Sequence, residues 1–348
     1  MKKYSIVLVV LFVGAFCFGY FRNEIKDPYQ LDYNKVVINL PITHTRYLSN
    51  KLFALGEKYL ADDLMVEFQK NGFEVKEYAW EDTYSNRNYK EGFEFFMRAW
   101  PELRVPKYHD FVDEDRISVV YETIPYALEE VKNADIIFTG SLKKDKEYKK
   151  MGLNSYFVPQ FTRLDKFYPA YKEEYKSKLL FVGNDWRMKG TIRKTIDYAM
   201  RNNIKIDIYG GGWDKILSAD KRHWIKAEQV ANEVLKYYYS SADIVFNDTR
   251  EDMIEAGFVS NRIFDATAAG AFVISDYIKE IEEIYGDSIV MYKNEKEFVE
   301  LVNYYLEHPE ERKEKAKRAH EITVERFGAE GTIKKMTDVM RAYAKERM

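Results

Sequence analysis

Arg262 and Asp265 stand three residues apart in N-R-I-F-D, a spacing that puts opposite charges on one side of a helix. Two readings are open. They form an intrahelical ion pair worth about 0.2 to 0.5 kcal/mol, or the carboxylate accepts the hydroxyls of a ribose, as acidic residues do in nucleotide sites, while the arginine orients it. Ser260 just before them is a good N-cap, Gly270 stops the helix, and the apolar run 271–275 reads as a buried strand. Upstream, a polar loop with Asn247, Asp248, Arg250 and Asp252 runs through Gly257 and Phe258 to Ser260 and Asn261. It leads into a helix N-terminus, whose backbone N–H groups suit an anion. Asp248 and Asp252 either contact a sugar or cap turns, the ordinary use of aspartate in loops.

A second candidate is the loop G-N-D-W-R-M-K-G at 183–190, which follows a strand and opens a helix. Gly183 and Asn184 offer backbone, and Arg187 and Lys189 add cations. A charge-assisted hydrogen bond from either to a buried phosphate is worth about 1.5 to 3 kcal/mol; the plain alternative is surface charge on a connector. Gly210, Gly211 and Gly212 end another strand and allow either close ligand approach or a tight turn. His44, just after the first strand, is a candidate to face a cleft, although a lone histidine is more often structural. No H-E-x-x-H, no G-x-S-x-G and no clustered His and carboxylate ligand set occurs, which counts against a metalloprotease or an α/β-hydrolase.

The elements that must position these residues alternate between strand and helix. Residues 35–40 read as a first strand ended by Pro41, 60–71 as a helix closed by Gly72, and 74–79, 93–99, 117–122 and 135–139 as further strands. The Lys-rich stretch 142–150 reads as a solvated helix face. The pattern restarts with strands at 178–182, 205–209 and 242–246, helices at 191–201 and 230–240, and three closing helices near 295–306, 309–327 and 332–347. Such alternation predicts an α/β protein with mostly parallel sheets.

At 348 residues the chain exceeds the size at which one core stops growing, so two domains are expected. A net charge of −3 and a pI near 6.1 argue against nucleic acid as a partner. The single cysteine, Cys17, excludes an internal disulfide framework and any cysteine-based zinc site. Lys2 and Lys3 precede an uncharged apolar run at 4–20. About 17 helical residues at ~1.5 Å each span roughly 26 Å, which predicts an uncleaved membrane anchor within 1–25 in the absence of an A-x-A cleavage site. The lysine pair by itself places the remaining chain on the far side of the membrane.

These motifs resemble a GT-B glycosyltransferase, in the bacterial group similar to CgeB-like spore-maturation proteins with a glycosyl transferases group 1 C-terminal domain. The most specific match is N-D-T-R-E-D-M-I-E-A-G-F-V-S-N-R-I-F-D-A-T-A-A-G-A-F-V-I-S-D at 247–276. L-L-F-V-G-N with K-G and I-Y-G-G-G-W support it. V-P-Q-F-T-R-L-D-K-F-Y-P at 158–169 resembles the interdomain segment, and G-E-K-Y-L-A-D-D-L at 56–64 is similar to a weaker N-terminal signature.

The resemblance implies two Rossmann-like domains facing a cleft: an acceptor domain over 35–168, a nucleotide-sugar domain over 169–330, and a helix in 331–348 crossing back. It implies transfer of a sugar from a nucleoside-diphosphate donor to a saccharide, lipid or protein acceptor, retaining, without metal or further cofactor, in cell-surface glycan synthesis. By position, Arg187 and Lys189 would hold the diphosphate, the 257–261 backbone would cap it, and Asp265 would take the ribose. The broader family-4 pattern has two glutamates separated by seven residues; here Asp265 replaces the second and Gly257 stands at the first, with Glu255 two positions off. The residue touching the sugar is therefore open, and His44 and Asp248 are the candidates for the chemical step. Because nucleotide-sugars are ordinarily cytosolic, a cytosolic catalytic domain on the anchor is expected despite the lysine pair. A nucleotide-sugar epimerase and a membrane-tethered, non-catalytic glycan-binding module are the alternatives.

Overall fold

The structure is a computed structural model that describes residues 37–42, 56–79, 92–97, 117–185 and 192–347. Two six-stranded sheets form, and every pairing in both is parallel. The first contains β1 (Val37–Ile42), β2 (Glu74–Ala79), β3 (Phe93–Met97), β4 (Ile117–Glu122), β5 (Ile136–Thr139) and β6 (Ser155–Phe157), in the order β2-β1-β3-β4-β5-β6. Its central strands are near-continuous apolar runs such as Phe93-Glu94-Phe95-Phe96-Met97, buried throughout, as a sheet covered on both faces requires. Helix α1 (Gly56–Lys70) follows β1 and buries Ala61, Leu64 and Phe68, and Gly72 takes the left-handed φ of 83° just beyond its end. Two shorter helices, α2 (Leu128–Val131) and α3 (Leu142–Lys150), follow β4 and β5.

The second sheet contains β7 (Ser177–Val182), β8 (Asp207–Tyr209), β9 (Ile225–Ala227), β10 (Ala242–Asn247), β11 (Val273–Asp276) and β12 (Val290–Tyr292), in the order β12-β11-β10-β7-β8-β9. Chain order runs outward from β7 to β9, then returns to β10 on the other side of β7. A crevice opens at such a reversal, outside the carboxyl ends of the two strands, and here those ends are Val182-Gly183 and Asn247-Asp248. Its helices are α4 (Lys194–Arg201), α5 (Asn232–Ser241), α6 (Glu251–Ala256), α7 (Asn261–Ala268), α8 (Lys279–Tyr285), α9 (Glu295–Glu307), α10 (Pro309–Arg326) and α11 (Ala329–Arg347). The last returns to the first sheet, where Ile333, Met336, Met340 and Ala344 share a core with Phe68, Phe95 and Tyr121.

Several contacts among the described residues join the halves. Phe258, between α6 and α7, is fully buried among Phe96, Val120, Ile124, Ile137 and Tyr148 of the first half. Burying such a ring contributes about 1.5 to 3 kcal/mol, more than an ordinary hydrogen bond. Beside it, Ser141 Oγ donates to the Ala256 carbonyl at 2.5 Å and Lys143 Nζ to the Glu255 carbonyl at 2.7 Å. The segment that leaves the first half is itself tied to α1: the Arg163 guanidinium pairs with Asp165 and lies 3.8 Å from Glu67, and Lys166 pairs with Asp63.

Three expectations need correction. Pro41 does not end the first strand: β1 runs to Ile42, with Pro41 opposite Tyr78 of β2. Pairing with β3 involves only Ile38 and Asn39, so at Pro41 the strand is paired on one side only and a missing N–H is tolerated. The loop between Asn247 and Ser260 is not continuous either. Residues 251–256 form α6, which opens on Glu251 and Asp252 and ends at Gly257 with a φ of 76°. The third correction concerns the membrane. The expected span at 4–20 lies outside the described residues, and among those described no helix is long and apolar enough to cross a membrane. The single-span, membrane-associated placement is therefore unsupported and is withdrawn.

Candidate functional site

Phe181, the penultimate residue of β7, is fully buried at the strand's carboxyl end. Two guanidinium groups lie against its ring, Arg193 at 4.8 Å and Arg262 at 5.4 Å from the centroid. Arg262 Nε donates to the Val182 carbonyl and its Nη1 to Asn247 Oδ1, both at 2.8 Å, so it ties the ends of β7 and β10 together. It makes no ion pair with Asp265. Arg193, at the start of α4, donates to the Asn184 carbonyl at 3.1 Å and pairs through Nε with Asp248 at 2.8 Å. Both partners of that pair are buried. Burial pushes the guanidinium down to about 10, against the opposing charge of Asp248.

Above these arginines lies Gly183. A Cβ there would come within 2.6 Å of Arg193 Nη1 and 2.7 Å of Arg262 Nη2, so the residue is a glycine because two cations crowd its backbone. The Gly183 loop is laced to the glycine turn after β8: Gly183 N–H donates to Tyr209 O, Gly211 N–H to Asn184 Oδ1, Asp185 N–H to Gly211 O, and Trp213 Nε1 to Gly183 O, all within 2.8 to 2.9 Å. Gly210 has a φ of 147°, and a Cβ on it would fall 2.1 Å from the Gly183 carbonyl. The two glycine loops expected from the sequence thus form one ledge. Arg187, Lys189 and His44 lie outside the described residues.

At the opposite wall, Asn247 Nδ2 donates to Ser275 Oγ, whose hydroxyl donates to Asp276 Oδ1, while Thr249 N–H donates to Asp276 Oδ2. Burial, followed by the charge of Asp248, pushes Asp276 up to about 7. Asp248 is thus committed to Arg193 and carries a second carboxyl beside it. Asp252 binds Arg250.

Ser260 is the N-cap of α7, though its side chain makes no cap hydrogen bond. The N–H groups of Gly257 and Phe258 are spent on the end of α6, donating to Ile254 O and Met253 O, so within 257–261 the N–H groups open to an anion are those at the start of α7. Asp265, in the second turn, is buried and accepts from Thr162 Oγ1 at 2.7 Å and from Asn261 Nδ2 at 2.8 Å. Burial pushes it up to about 8. Asn261 Oδ1 is buried with no hydrogen-bond partner among the described residues. No group of three His, Cys, Asp or Glu side chains suited to a metal ion occurs among the described residues.

Sequence reasoning passed over Arg193, Asp276 and Thr162. Arg193 and Asp276 each lie at the edge of a recognised strand or helix, and a charge next to a strand's carboxyl end in an α/β repeat was the available signal. Thr162 lies within the quoted V-P-Q-F-T-R stretch, but nothing local links it to Asp265.

Residues 172–338 match a family described as glycosyl transferase-like. The spore protein CgeB of Bacillus subtilis (strain 168) is 28% identical over 222 residues, covering 58% of this chain and 66% of that protein. Among solved structures, a sucrose-phosphate synthase from Thermosynechococcus elongatus superposes with a TM-score of 0.66 at 11% identity, over 90% of this chain and all of that one. HepE of Anabaena, solved with UDP-glucose, does so with a TM-score of 0.60 at 10% identity, over 88% of this chain and 99% of the other. The chain shares the fold of these two structures, and residues 172–338 are similar to the glycosyl transferase-like family.

Proposed function

We propose that the protein transfers a sugar from a nucleoside-diphosphate donor, held by the second half, to an acceptor that enters from the first. The observation that carries this is the convergence on one crevice of the Gly183 ledge, the Gly210 turn and the N-terminus of α7, all within the family-matched residues. A departing nucleoside diphosphate carries growing negative charge. Preorganised N–H groups and cations at that point stabilise it without a divalent ion. In this reading the α7 N-terminus and the ledge face the phosphates, and Arg187 and Lys189, which follow Gly183 in the sequence, supply cations. Asp265 holds Asn261, whose Oδ1 accepts a ribose hydroxyl. A uridine nucleotide is the first choice, because HepE was solved with UDP-glucose and an alpha-glucosyltransferase of the same fold, at a TM-score of 0.62 and 11% identity, with UDP. Transfer with retention, to a saccharide, lipid or protein, completes the proposal.

Calorimetric titration with UDP, GDP, ADP, CDP and dTDP tests it. The wild type is expected to bind one of them, UDP first, and Arg187→Ala and Asn261→Ala to bind it more weakly. A wild type that binds none of the five overturns the reading.

A further inference from the structure

Gly257 occupies the position at which the two-glutamate pattern has its first carboxylate, and the structure fills that place from elsewhere. A Cβ built on Gly257 would lie 2.7 Å from Glu280 Oε1, 3.3 Å from Glu280 Cδ and 3.3 Å from Ser141 Oγ. Glu280 is in the first turn of α8, reached from β11 through Tyr277 and the fully buried Ile278, which anchors the approach. Because β11 is the neighbour of β10, the turn after β11 passes over the end of α6, and the Glu280 carboxyl comes down onto the backbone of Gly257. Ser141, on the first half's side of the cleft, closes the third side.

The nearby acids differ in how they are used. Glu282 accepts from the Tyr277 hydroxyl at 2.9 Å and Glu283 pairs with Lys279 at 3.1 Å. Glu255 is exposed on the outer side of α6. Glu280 is half-buried, and among the described residues no hydrogen bond or ion pair engages its carboxylate. A carboxylate held at the domain junction with its acceptor sites unused is suited to sugar hydroxyls, with which it makes stronger hydrogen bonds than a neutral acceptor does.

Resting on the donor reading above, we infer that Glu280 is the residue that accepts hydrogen bonds from the hydroxyls of the donor's sugar, supplying from α8 the carboxylate that position 257 lacks. Gly257 is a glycine for two reasons that act together. Its φ is left-handed, and the space its side chain would take is filled by the Glu280 carboxyl.

The test compares UDP with UDP-glucose on the full chain, by calorimetry and by hydrolysis of UDP-glucose in the absence of acceptor. In Glu280→Gln and Glu280→Ala, UDP affinity is expected to stay within about twofold of wild type, while preference for UDP-glucose over UDP, and its hydrolysis, fall about tenfold to a hundredfold, the range for one hydrogen bond to a charged group. Glu280→Gln is expected to retain more of the preference than Glu280→Ala. A purely structural role would instead lower UDP affinity and thermal midpoint together. Variants that keep the wild-type preference and hydrolysis, or a wild type that binds UDP without favouring or hydrolysing UDP-glucose, overturn the inference and leave the donor reading standing. A wild type that binds neither ligand overturns both.

Discussion

The Thr162 hydroxyl donates to Asp265 Oδ1 across 2.7 Å, joining the segment that leaves the first half to the helix at the mouth of the crevice. The same threonine is held by backbone on both sides: its N–H donates to Phe327 O, and its carbonyl accepts from Ala329 N–H. One residue therefore meets the helix of the crevice and the start of the returning helix α11.

The burial of Asp265 sets a pH dependence. Burial pushes Asp265 up to about 8; Asp63 raises it further, and Thr162, Lys166 and Arg262 oppose. An unfolded aspartate titrates near ~3.9, so between about 4 and 8 the folded state holds the extra proton and stability falls as pH rises, by at most about 1.4 kcal/mol per unit. Asp276, pushed up to about 7, adds a second proton to the lower part of that window. Asp265→Asn keeps a partner for Thr162 and is expected to halve the slope below about pH 7 and abolish it between about 7 and 8. Thermal midpoints of both proteins from pH 5 to 9 check this; parallel curves would refute it.

The ledge makes a second prediction. Gly210→Ala places a Cβ 2.1 Å from the Gly183 carbonyl oxygen and 2.5 Å from its carbon, against backbone that also accepts from Trp213. The two loops must separate, so loss of about 1 to 3 kcal/mol from left-handed strain alone is a lower bound. Nucleotide affinity should fall with it. Gly152→Ala, at a φ of 78° with nothing within 4 Å, gives the strain without the collision, and Gly211→Ala meets only ordinary contacts at 3.8 and 3.9 Å. Urea unfolding should rank the losses Gly210 over Gly152 over Gly211. Equal losses at Gly210 and Gly152 would mean that the loops part freely.

Much of this arrangement was legible because α/β repeats advertise their strand ends. The runs ending at Val182, Tyr209 and Phe246 mark where β7, β8 and β10 deliver Gly183, Gly210 and Asp248, and the position of Asp265 on a helix follows from Ser260 and Gly270. Position along the chain, however, does not reveal which charges are buried together. Arg262 and Asp265 stand three residues apart, yet Arg262 reaches 80 residues back to Val182. Asp265 finds its partner 103 residues away. Phe258 read as part of a donor loop because six polar-flanked residues did not announce α6, whose Gly257 cap swings that ring into the first half. Glu280 carries no local signal, since its proximity to Gly257 exists only through the adjacency of β10 and β11.

The buried trio of Arg193, Asp248 and Asp276 yields the last prediction. Arg193 and Asp248 have side chains only 4% exposed each, 2.8 Å apart, so removing one partner leaves a desolvated charge, which commonly costs about 3 to 5 kcal/mol. The two partners should not be equivalent. Asp248 is the charge that raises Asp276, and Asp276 itself favours the charged form of Arg193. In Asp248→Asn, Asp276 loses that repulsion, ionises more readily and takes over as counter-charge. Arg193→Met has no such substitute and leaves Asp248 facing Asp276. At pH 7.5, urea unfolding is therefore expected to show Arg193→Met as the more damaging change by at least about 1 kcal/mol, and Asp248→Asn combined with Asp276→Asn as worse than the sum of the two single losses. Additive losses in that pair would show that Asp276 does not replace Asp248.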